Sequence, residues 1–280
     1  MKRRTALGLM AAAPFVSSCS REVNGQQQLS LDPSNPDDLY LIHRKLNYTY
    51  DENPVFWYIE AVRYGLVDSK FTPFWNMHVG FLFTVDSLGE FDFRTNQLSA
   101  IFYSDLETGD LLDTFNNPFT GASIPVRQPG LIRSQSRFDK FRQVREEREI
   151  PGATVTTATD IGPAWINGDD VWVHGDTGFR AEPDESSDRR LIQVNDWSTY
   201  HGSLKEVADP SVASAQATMN FNDVNTWPDW LQMGDRPGNY VSRGVGRKLR
   251  SGEGMPPQWL RFRAERFPEE SRDLAGAIEG

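Results

Sequence analysis

The amino-acid sequence predicts a mainly β protein whose antiparallel meander closes into a barrel-like, lipocalin-like body with short peripheral helices. Aromatic-rich segments alternate apolar and polar residues with the period of two that is typical of strands. Turns rich in glycine, asparagine and aspartate separate these segments at short intervals. No long helical segments intervene, which argues against parallel βαβ units. Closure into a barrel would hide the edges of a sheet with about ten strands.

Composition excludes several classes of protein. The 280 residues are 38% hydrophobic and 24% charged, unlike a disordered polymer, a coiled coil or a polytopic membrane protein. The formal net charge of -10 disfavours nucleic acid as a partner. A single cysteine excludes a disulfide framework and a cysteine-based zinc site. The length suits one β-rich domain, which we expect over residues 34–280.

The N-terminus predicts export and a lipid anchor. Three basic residues at positions 2–4 precede a short apolar run that is too short to span a bilayer, so residues 1–18 are expected to be a signal peptide. The run ends at Cys19, the only cysteine, in a sequence that resembles the lipobox of bacterial lipoproteins. We expect lipidation of Cys19, a tether over residues 19–33 and a location on the periplasmic side of a bacterial membrane.

Two details refine the expected location. Arg3-Arg4 resembles a twin-arginine export signal, although a general export signal with a basic start remains the alternative. Ser20 follows the cysteine where an aspartate would retain a lipoprotein at the inner membrane. By resemblance to that sorting rule, the outer membrane is the expected site.

The domain is predicted to begin with a helix over residues 34–46. Ser34 and Asp37 match a capping box, and His43 is expected at the surface or half-buried beside the apolar face. Strands follow over residues 55–62 and 71–84. In the second strand one face holds His78, and the other face holds Trp75, Met77, Val79, Phe81 and Phe83.

The middle of the chain is predicted to connect two halves of the sheet. A hairpin joins residues 101–103 to 111–115 through a glycine turn. Residues 127–149 alternate basic and acidic side chains, and Phe138, Phe141 and Val144 are spaced as one helical stripe. This pattern predicts a solvated connection rather than a binding patch.

The second half is predicted to be strands again. Asn167-Gly168 suits a two-residue hairpin within residues 164–174. Residues 215–224 alternate small or apolar residues with polar ones, so one face packs and the other meets solvent or a polar cavity. The remaining predicted elements are a strand over 191–201, a short helix at 226–231, a strand over 239–245, and a terminal helix anchored by Trp259, Phe262 and Phe267.

Tryptophan and histidine residues supply the candidate site. Eight tryptophans, several of which alternate with polar residues, suit either a pocket for a flat apolar ligand or a plain aromatic core. We expect a pocket inside the barrel. The residues expected to line it or to bind its ligand are Trp75, His78, Trp172, Trp197, His201, Trp227, Trp230, Asp235 and Arg236.

Three interpretations of the strand histidines remain open. His78 or His201 could act as a general base in a dry pocket, oriented by Asp235 or Asp196. Together with His174 they could bind a metal, although no metal site is predicted. They could also be semi-buried structural residues. No cofactor motif is evident, and Asp235 and Arg236 could bind a polar group at the pocket mouth or brace their own turn.

Several sequence blocks resemble one protein family. They are Phe102–Leu112, Asn117–Gly121, Gly168–Trp172, Thr199–His201 and Trp230–Gly238. Together they resemble the bacterial and fungal family known as domain of unknown function 1838, over most of residues 35–270. The resemblance implies one folded unit, and it implies no activity because the family has no agreed one.

These observations leave three functional hypotheses. The first is binding of a small apolar or aromatic molecule in the aromatic pocket. The second is an exported hydrolase or isomerase that uses a pocket histidine and an aspartate. The third is protein–protein association at the cell envelope through the basic stretch over residues 243–272.

Overall fold

The computed structural model describes residues 31–140, 142–146, 152–185, 187 and 190–269, with the backbone alone for 142–146. Residues 1–18, Cys19 and most of the expected tether therefore lie outside the described part of the chain. The helices of the described part are α1 (Pro36–Asn47), α2 (Leu204–Ala208) and α3 (Pro257–Arg266), with short 3-10 turns at Asp229–Leu231 and Gly252–Gly254. None of these helices is long and apolar enough to cross a membrane.

The strands account for most of the described chain. They are β1 (Val55–Val67), β2 (Lys70–Ser87), β3 (Asp92–Ser104), β4 (Thr114–Asn116), β5 (Ser123–Pro125), β6 (Gly130–Asp139), β7 (Arg142–Glu146), β8 (Ala153–Asn167), β9 (Asp170–Pro183), β10 (Ile192–Ser203), β11 (Ala217–Asn225) and β12 (Asn239–Leu249). The predicted mainly β, antiparallel fold is confirmed. The sheet curls into a half-barrel.

The strand order explains the curl. Ten strands form one antiparallel sheet in the order β7-β6-β3-β2-β1-β12-β11-β10-β9-β8, so β1 and β12 pair at its centre. The outermost strands, β7 and β8, follow each other in the chain, from Glu146 to Ala153. Seven residue steps reach at most about 25 Å, whereas a flat sheet of ten strands would be about 43 Å wide. The two edges must therefore approach each other.

The period-two alternation divides the side chains between an inner and an outer face. The inner face of β1 and β2 contributes Trp57, Ile59, Met77 and Val79 to the main apolar cluster, as the sequence predicts for β2. Their neighbours along the strands point outward into a second apolar cluster, which packs under α3. Each of these two strands therefore contributes side chains to two apolar clusters, one on each face of the sheet.

The outer layer depends on one close approach at Gly80. A Cβ atom at this position would lie 2.3 Å from the ring of Trp259, so only glycine allows α3 to lie this close to β2. The indole nitrogen of Trp259 donates a hydrogen bond to the carbonyl oxygen of Ala100 at 3.1 Å. As predicted, Trp259 and Phe262 anchor the C-terminal helix, and both are buried.

Helix α1 is held by caps at both ends. Its N-cap is Asn35, whose side chain accepts from the backbone nitrogen of Asp37 at 2.9 Å, so the predicted capping box at Ser34 is wrong by one residue. At the C-terminal end the Lys248 ammonium donates to the carbonyl oxygens of Lys45 and Tyr48 at 2.8 and 2.6 Å. Burial lowers the pKa of Lys248 to about 7.

The predicted solvated connection over residues 127–149 is wrong. Strands β6 and β7 occupy most of it, and β6 pairs with β3 along ten residue pairs. Exposed Arg133, Gln135 and Arg137 alternate with less exposed residues, and Phe138 is buried against Phe93. The charges mark the solvent face of a strand, because the period is two rather than 3.6.

His43 is buried, whereas a surface or half-buried position was expected. It is 4% exposed and packs near Tyr48 and Phe138. Its Nδ1 atom has no hydrogen-bond partner among the described residues. Burial lowers the pKa of His43 to about 3, from an ordinary value of 6.5. The folded state therefore holds a neutral imidazole that the unfolded chain protonates below pH 6.5.

We expect His43 to make the fold sensitive to acid. Above pH 6.5 His43 is neutral in both the folded and the unfolded state, so its lowered pKa costs no stability. As pH falls from 6.5 towards 3, the unfolded chain is protonated first and the free energy of unfolding decreases. At pH 4.5 the loss should be about 3 kcal/mol. Urea unfolding of wild type and His43→Leu at pH 7.5 and 4.5 measures it. The variant should lose less stability on acidification, and equal losses would contradict the assignment.

Candidate functional site

The concave face holds the main candidate site, a cavity of about 530 Å³. Its walls are mostly apolar and come from the inner faces of the central strands: Ile59, Met77, Val79, Phe81, Ile101, Ile132 and Phe221. Its rim carries polar and aromatic residues: Arg127, Arg190, Trp227, Asp229 and Trp230. A cavity of this size and lining is typical of a site for a small organic molecule.

One polar row crosses this otherwise apolar inner face. The strand register aligns residues on six neighbouring strands from β8 to β1, in the order Thr159, Thr177, Asp196, Asp223, Ser242 and Arg63. Two carboxylates and one guanidinium therefore stand side by side in the cavity wall. Charges in such a place are costly unless they are paired or bind something.

A buried ion pair forms the centre of the row. Nη1 of Arg63 donates to both carboxylate oxygens of Asp223, at 2.8 and 2.7 Å. The backbone nitrogen of Ser242 also donates to Asp223, at 2.6 Å. Burial disfavours the charged guanidinium, but the surrounding groups, Tyr240 and Asp223 foremost, raise the pKa of Arg63. Arg63 therefore stays charged.

Aromatic rings surround the guanidinium end of the row. The Tyr240 ring centroid is 4.6 Å from the Arg63 guanidinium carbon, and burial raises the pKa of Tyr240 well above 10. Trp75 is fully buried behind the cavity wall and stacks on Trp230, with ring centroids 5.6 Å apart. Tyr103 packs against Trp75 and also lines the cavity. This end of the cavity is therefore rigid and aromatic.

The structure brings together only some of the predicted tryptophans. Trp227 and Trp230 line the cavity rim, and Trp75 supports Trp230 from behind. Trp172 and Trp197 point to the opposite face of the sheet, where Trp197 is 42% exposed. The parity of β9 and β10 gives the reason, because their inward residues are Val171, Val173, Asp196 and Tyr200.

The expectation that the strand histidines share the cavity is wrong. His201 and His174 do lie on one surface with tryptophans, as their parity requires, but this surface faces outward. His201 stacks on Trp172 with ring centroids 5.0 Å apart, and His174 contacts Trp165 at 4.6 Å. No histidine lines the cavity among the described residues.

His78 occupies a structural position under α3. Its Nδ1 atom is 2.8 Å from the hydroxyl of Tyr58, and its Nε2 atom is 2.9 Å from the hydroxyl of Ser104. The ring is 2% exposed and contacts Phe262, and burial lowers the pKa of His78. Both ring nitrogens are thus satisfied within the protein, which leaves neither for a substrate.

The aspartate that contacts His201 is Asp170, not Asp196 or Asp235. Nε2 of His201 is 2.9 Å from Oδ1 of Asp170, and both side chains are partly exposed. Asp196 points into the cavity, so the sheet separates it from His201. The hairpin turn is Gly168-Asp169, one residue later than predicted, which sets Asp170 at the start of β9 beside the end of β10.

Asp235 and Arg236 each brace a different segment instead of pairing with each other. The fully exposed Asp235 carboxylate lies 3.6 Å from a guanidinium nitrogen of Arg190. Arg236 donates to the carbonyl oxygen of Phe119 at 3.0 Å. The indole nitrogen of Trp227 donates to the carbonyl oxygen of Arg236 at 3.0 Å. The turn therefore fixes a cavity-lining tryptophan, while neither charged side chain lines the cavity.

The buried ion pair of Arg63 and Asp223 was not predicted from the sequence. Arg63 continues the inward series of β1 after Ile59 and Ala61, and Asp223 continues that of β11 after Met219 and Phe221. A charge at an inward position of a long strand is the signal that would have identified each residue. Two such charges of opposite sign indicate a buried pair or a polar site.

A metal centre finds no support in the described residues. No group of three or more histidine, cysteine, aspartate or glutamate side chains among them could hold a metal ion. His78 lies on β2 beneath α3, whereas His174 and His201 lie on the exposed outer face of β9 and β10. The three histidines therefore do not form one ligand set.

The fold and its cavity define a half-barrel protein with an internal, mostly apolar site. The chain belongs to the family described as protein of unknown function, DUF1838, whose model matches residues 69–272. This confirms the resemblance noted in the sequence. The matched segment contains Asp196, Asp223 and Trp230, whereas Arg63 precedes it.

No curated protein matches the chain. One solved structure, from Bacteroides fragilis NCTC 9343 and described as having a YmcC-like fold, is similar over 67% of this chain and 93% of its own. The identity is 7% and the TM-score is 0.22, so this likeness carries no argument.

We expect the buried pair to be energetically coupled. Arg63→Met leaves a buried carboxylate without its guanidinium and should lower the free energy of unfolding by about 3 kcal/mol. The double variant Arg63→Met/Asp223→Asn should lose much less free energy of unfolding than the two single variants lose together. Urea unfolding of the four proteins in the cycle measures this. Arg190→Met, which breaks exposed ion pairs, should cost less than about 1 kcal/mol. Additive effects of Arg63→Met and Asp223→Asn would contradict the coupling.

Proposed function

We propose that the protein binds a small, largely apolar organic molecule in the cavity of the half-barrel. The observation that carries the proposal is the cavity of about 530 Å³ with apolar walls and one polar row. Apolar walls favour transfer of an apolar ligand from water, at about 25 cal/mol per Å² of surface buried. The polar row supplies the few directional groups that fix orientation.

The aromatic wall supports binding over a purely structural core. Trp227 and Trp230 are partly buried at the rim, so their rings contact both the cavity and the packed interior. The stack of Trp75 on Trp230 and the hydrogen bond from Trp227 to Arg236 hold both rings in place. Rings that are already fixed lose little conformational entropy when a ligand binds.

The enzyme hypothesis has less support than binding. It placed His201 or His78 in the pocket with Asp196 or Asp235, and neither pairing occurs. The His201–Asp170 contact lies on the outer face in a shallow depression of about 400 Å³, with both side chains partly exposed. This depression shares no lining residue with the apolar cavity, so the His201–Asp170 pair does not contact a molecule bound in the cavity.

Filling the cavity should weaken binding. In Ile101→Trp the larger side chain projects into the cavity and should weaken binding of the apolar fluorophore N-phenyl-1-naphthylamine by at least about 10-fold. Val245→Trp adds the same bulk on the outer face of β12, where Val245 is 66% exposed, and should leave affinity unchanged. Fluorescence titration measures both. Equal affinities of wild type and Ile101→Trp would contradict the proposal.

We also propose that the protein is exported and anchored to the periplasmic side of the outer membrane through a lipid on Cys19. The basic start, the short apolar run and the single cysteine support this. A stably anchored lipoprotein sediments with membranes because its acyl chains insert into the bilayer. The twin-arginine route is the proposed route of export.

Replacing the thiol should release the protein from membranes. Cys19→Ser removes the lipid attachment site, so the protein should move from the membrane pellet to the soluble fraction after cell lysis. Ser18→Ala keeps a small residue before the cysteine and should remain in the pellet. Immunoblots of both fractions give the result. Unchanged sedimentation of Cys19→Ser would show that another feature holds the protein at the membrane.

A further inference from the structure

We infer that the ligand of the cavity is an uncharged amide, whose carbonyl oxygen accepts a hydrogen bond from the tyrosine hydroxyls of the cavity wall and whose N–H group donates to Asn225. This inference rests on the proposed binding function and names the chemical class of its ligand. It follows from the buried polar atoms of the wall that lack partners and from the pairing of the charged residues around them.

Two tyrosine hydroxyl groups offer a hydrogen-bond donor to the cavity. Tyr103 and Tyr240 both line it, and both rings pack against Trp75, at centroid distances of 5.3 and 6.0 Å. Their hydroxyl groups lie close to each other, yet the buried hydroxyl of Tyr240 meets no partner in good hydrogen-bond geometry among the described residues. Two hydroxyls that bond to each other use only one of their protons, so at least one O–H group remains to donate to a ligand.

A further buried donor belongs to the same end of the cavity. The Nε atom of Arg63 has no hydrogen-bond partner among the described residues, although Nη1 of the same guanidinium holds Asp223. Arg63 interacts electrostatically with both Tyr103 and Tyr240, so these three donor-bearing side chains form one group. A buried donor without an acceptor is costly. A carbonyl oxygen has two lone pairs and can accept from two donors of this group without bringing a charge.

A buried acceptor that lacks a donor lies on the adjacent strand. Asn225 pairs in register with Tyr240, and both residues line the cavity. Asn225 is 8% exposed, and its Oδ1 atom has no hydrogen-bond partner among the described residues. An amide carries a carbonyl acceptor and an N–H donor on neighbouring atoms, so one group can satisfy both side chains. A ketone or an ester offers the acceptor alone.

The charged residues of the cavity favour a neutral ligand because most of them already face opposite charges. Arg63 interacts with Asp223 and Asp196. Arg190 forms two exposed ion pairs at the rim. Arg127 is exposed, so its charge is solvated. A charged head group would therefore give up its hydration for groups that are already paired or solvated, which is unfavourable.

Four probes with the same naphthalene body test the inference: naphthalene-2-carboxamide, 2-acetylnaphthalene, 2-ethylnaphthalene and 2-naphthoate. Displacement of N-phenyl-1-naphthylamine from the folded protein at pH 7.5 gives their affinities. We expect Tyr103→Phe/Tyr240→Phe to weaken binding of the amide and of the ketone by at least about 10-fold, because their carbonyl oxygen loses its donor. Binding of 2-ethylnaphthalene, which accepts no hydrogen bond, should stay within about twofold of wild type and would show that the cavity is intact.

Two further variants locate the amide group. Asn225→Leu should weaken binding of the amide by about 5-fold and leave the ketone within about twofold, since only the amide has an N–H donor. Tyr200→Phe removes a hydroxyl from a ring that packs against the core outside the cavity, and it should change none of the affinities. Should the tyrosine double variant fail to fold, loss of 2-ethylnaphthalene binding would reveal it, and the result for Asn225→Leu then decides.

The outcomes separate the amide assignment from the binding function. If the tyrosine double variant weakens the three neutral probes equally, or weakens none of them, the amide assignment is overturned and the binding function stands. The same conclusion follows if 2-naphthoate binds more tightly than the amide, or if 2-ethylnaphthalene binds and the amide does not. If neither 2-ethylnaphthalene nor N-phenyl-1-naphthylamine binds to the wild-type protein, the proposed function itself fails.

Discussion

The short chain segment between β7 and β8 constrains the whole molecule. Both strands lie at the edges of the ten-stranded sheet, yet only residues 147–152 separate them in the chain. No flat or gently twisted sheet of this width satisfies that length, so the sheet must curl. The curl creates the concave face, and the concave face creates the cavity. At the centre of the same sheet, the first strand, β1, pairs with the last strand, β12.

A curled sheet needs different solutions on its two faces. The convex side of the first three strands is covered by α3, which Gly80 admits and Trp259 fixes. The convex side of β9 and β10 carries Trp172, Trp197 and His201 among polar residues. On the concave side, apolar residues pack at one end under α1 and line an open cavity at the other. The cavity thus lies away from α1, beside the 3-10 turn at Asp229–Leu231.

The sequence predicts the fold class and the strand faces well because both depend on local alternation. The inward series from Trp75 to Phe83 and from Ala215 to Phe221 are readable without coordinates. It does not predict which face is concave, since that depends on the pairing of β1 with β12 and on the curl. The prediction that His201 and Trp172 lie close together was therefore correct, but the predicted face of the sheet was wrong. The prediction for residues 130–146 was wrong for a different reason. The many charges in this segment concealed the period of two that is typical of a strand.

The polar row distinguishes this interior from an ordinary apolar core. A protein that only needed stability would gain by replacing Arg63 and Asp223 with apolar residues, because the cost of desolvating a buried ion pair often exceeds its attraction. Arg63 fixes the position of Asp223 next to Asp196. The backbone nitrogen of Ser242 donates to Asp223, and the ring of Tyr240 packs against the guanidinium of Arg63. Asp196 lies in register beside Asp223 and adds a second carboxylate near the Arg63 guanidinium. Asn225, whose Oδ1 atom has no hydrogen-bond partner among the described residues, lies on the same cavity wall, so this row places several directional polar groups in an otherwise apolar interior.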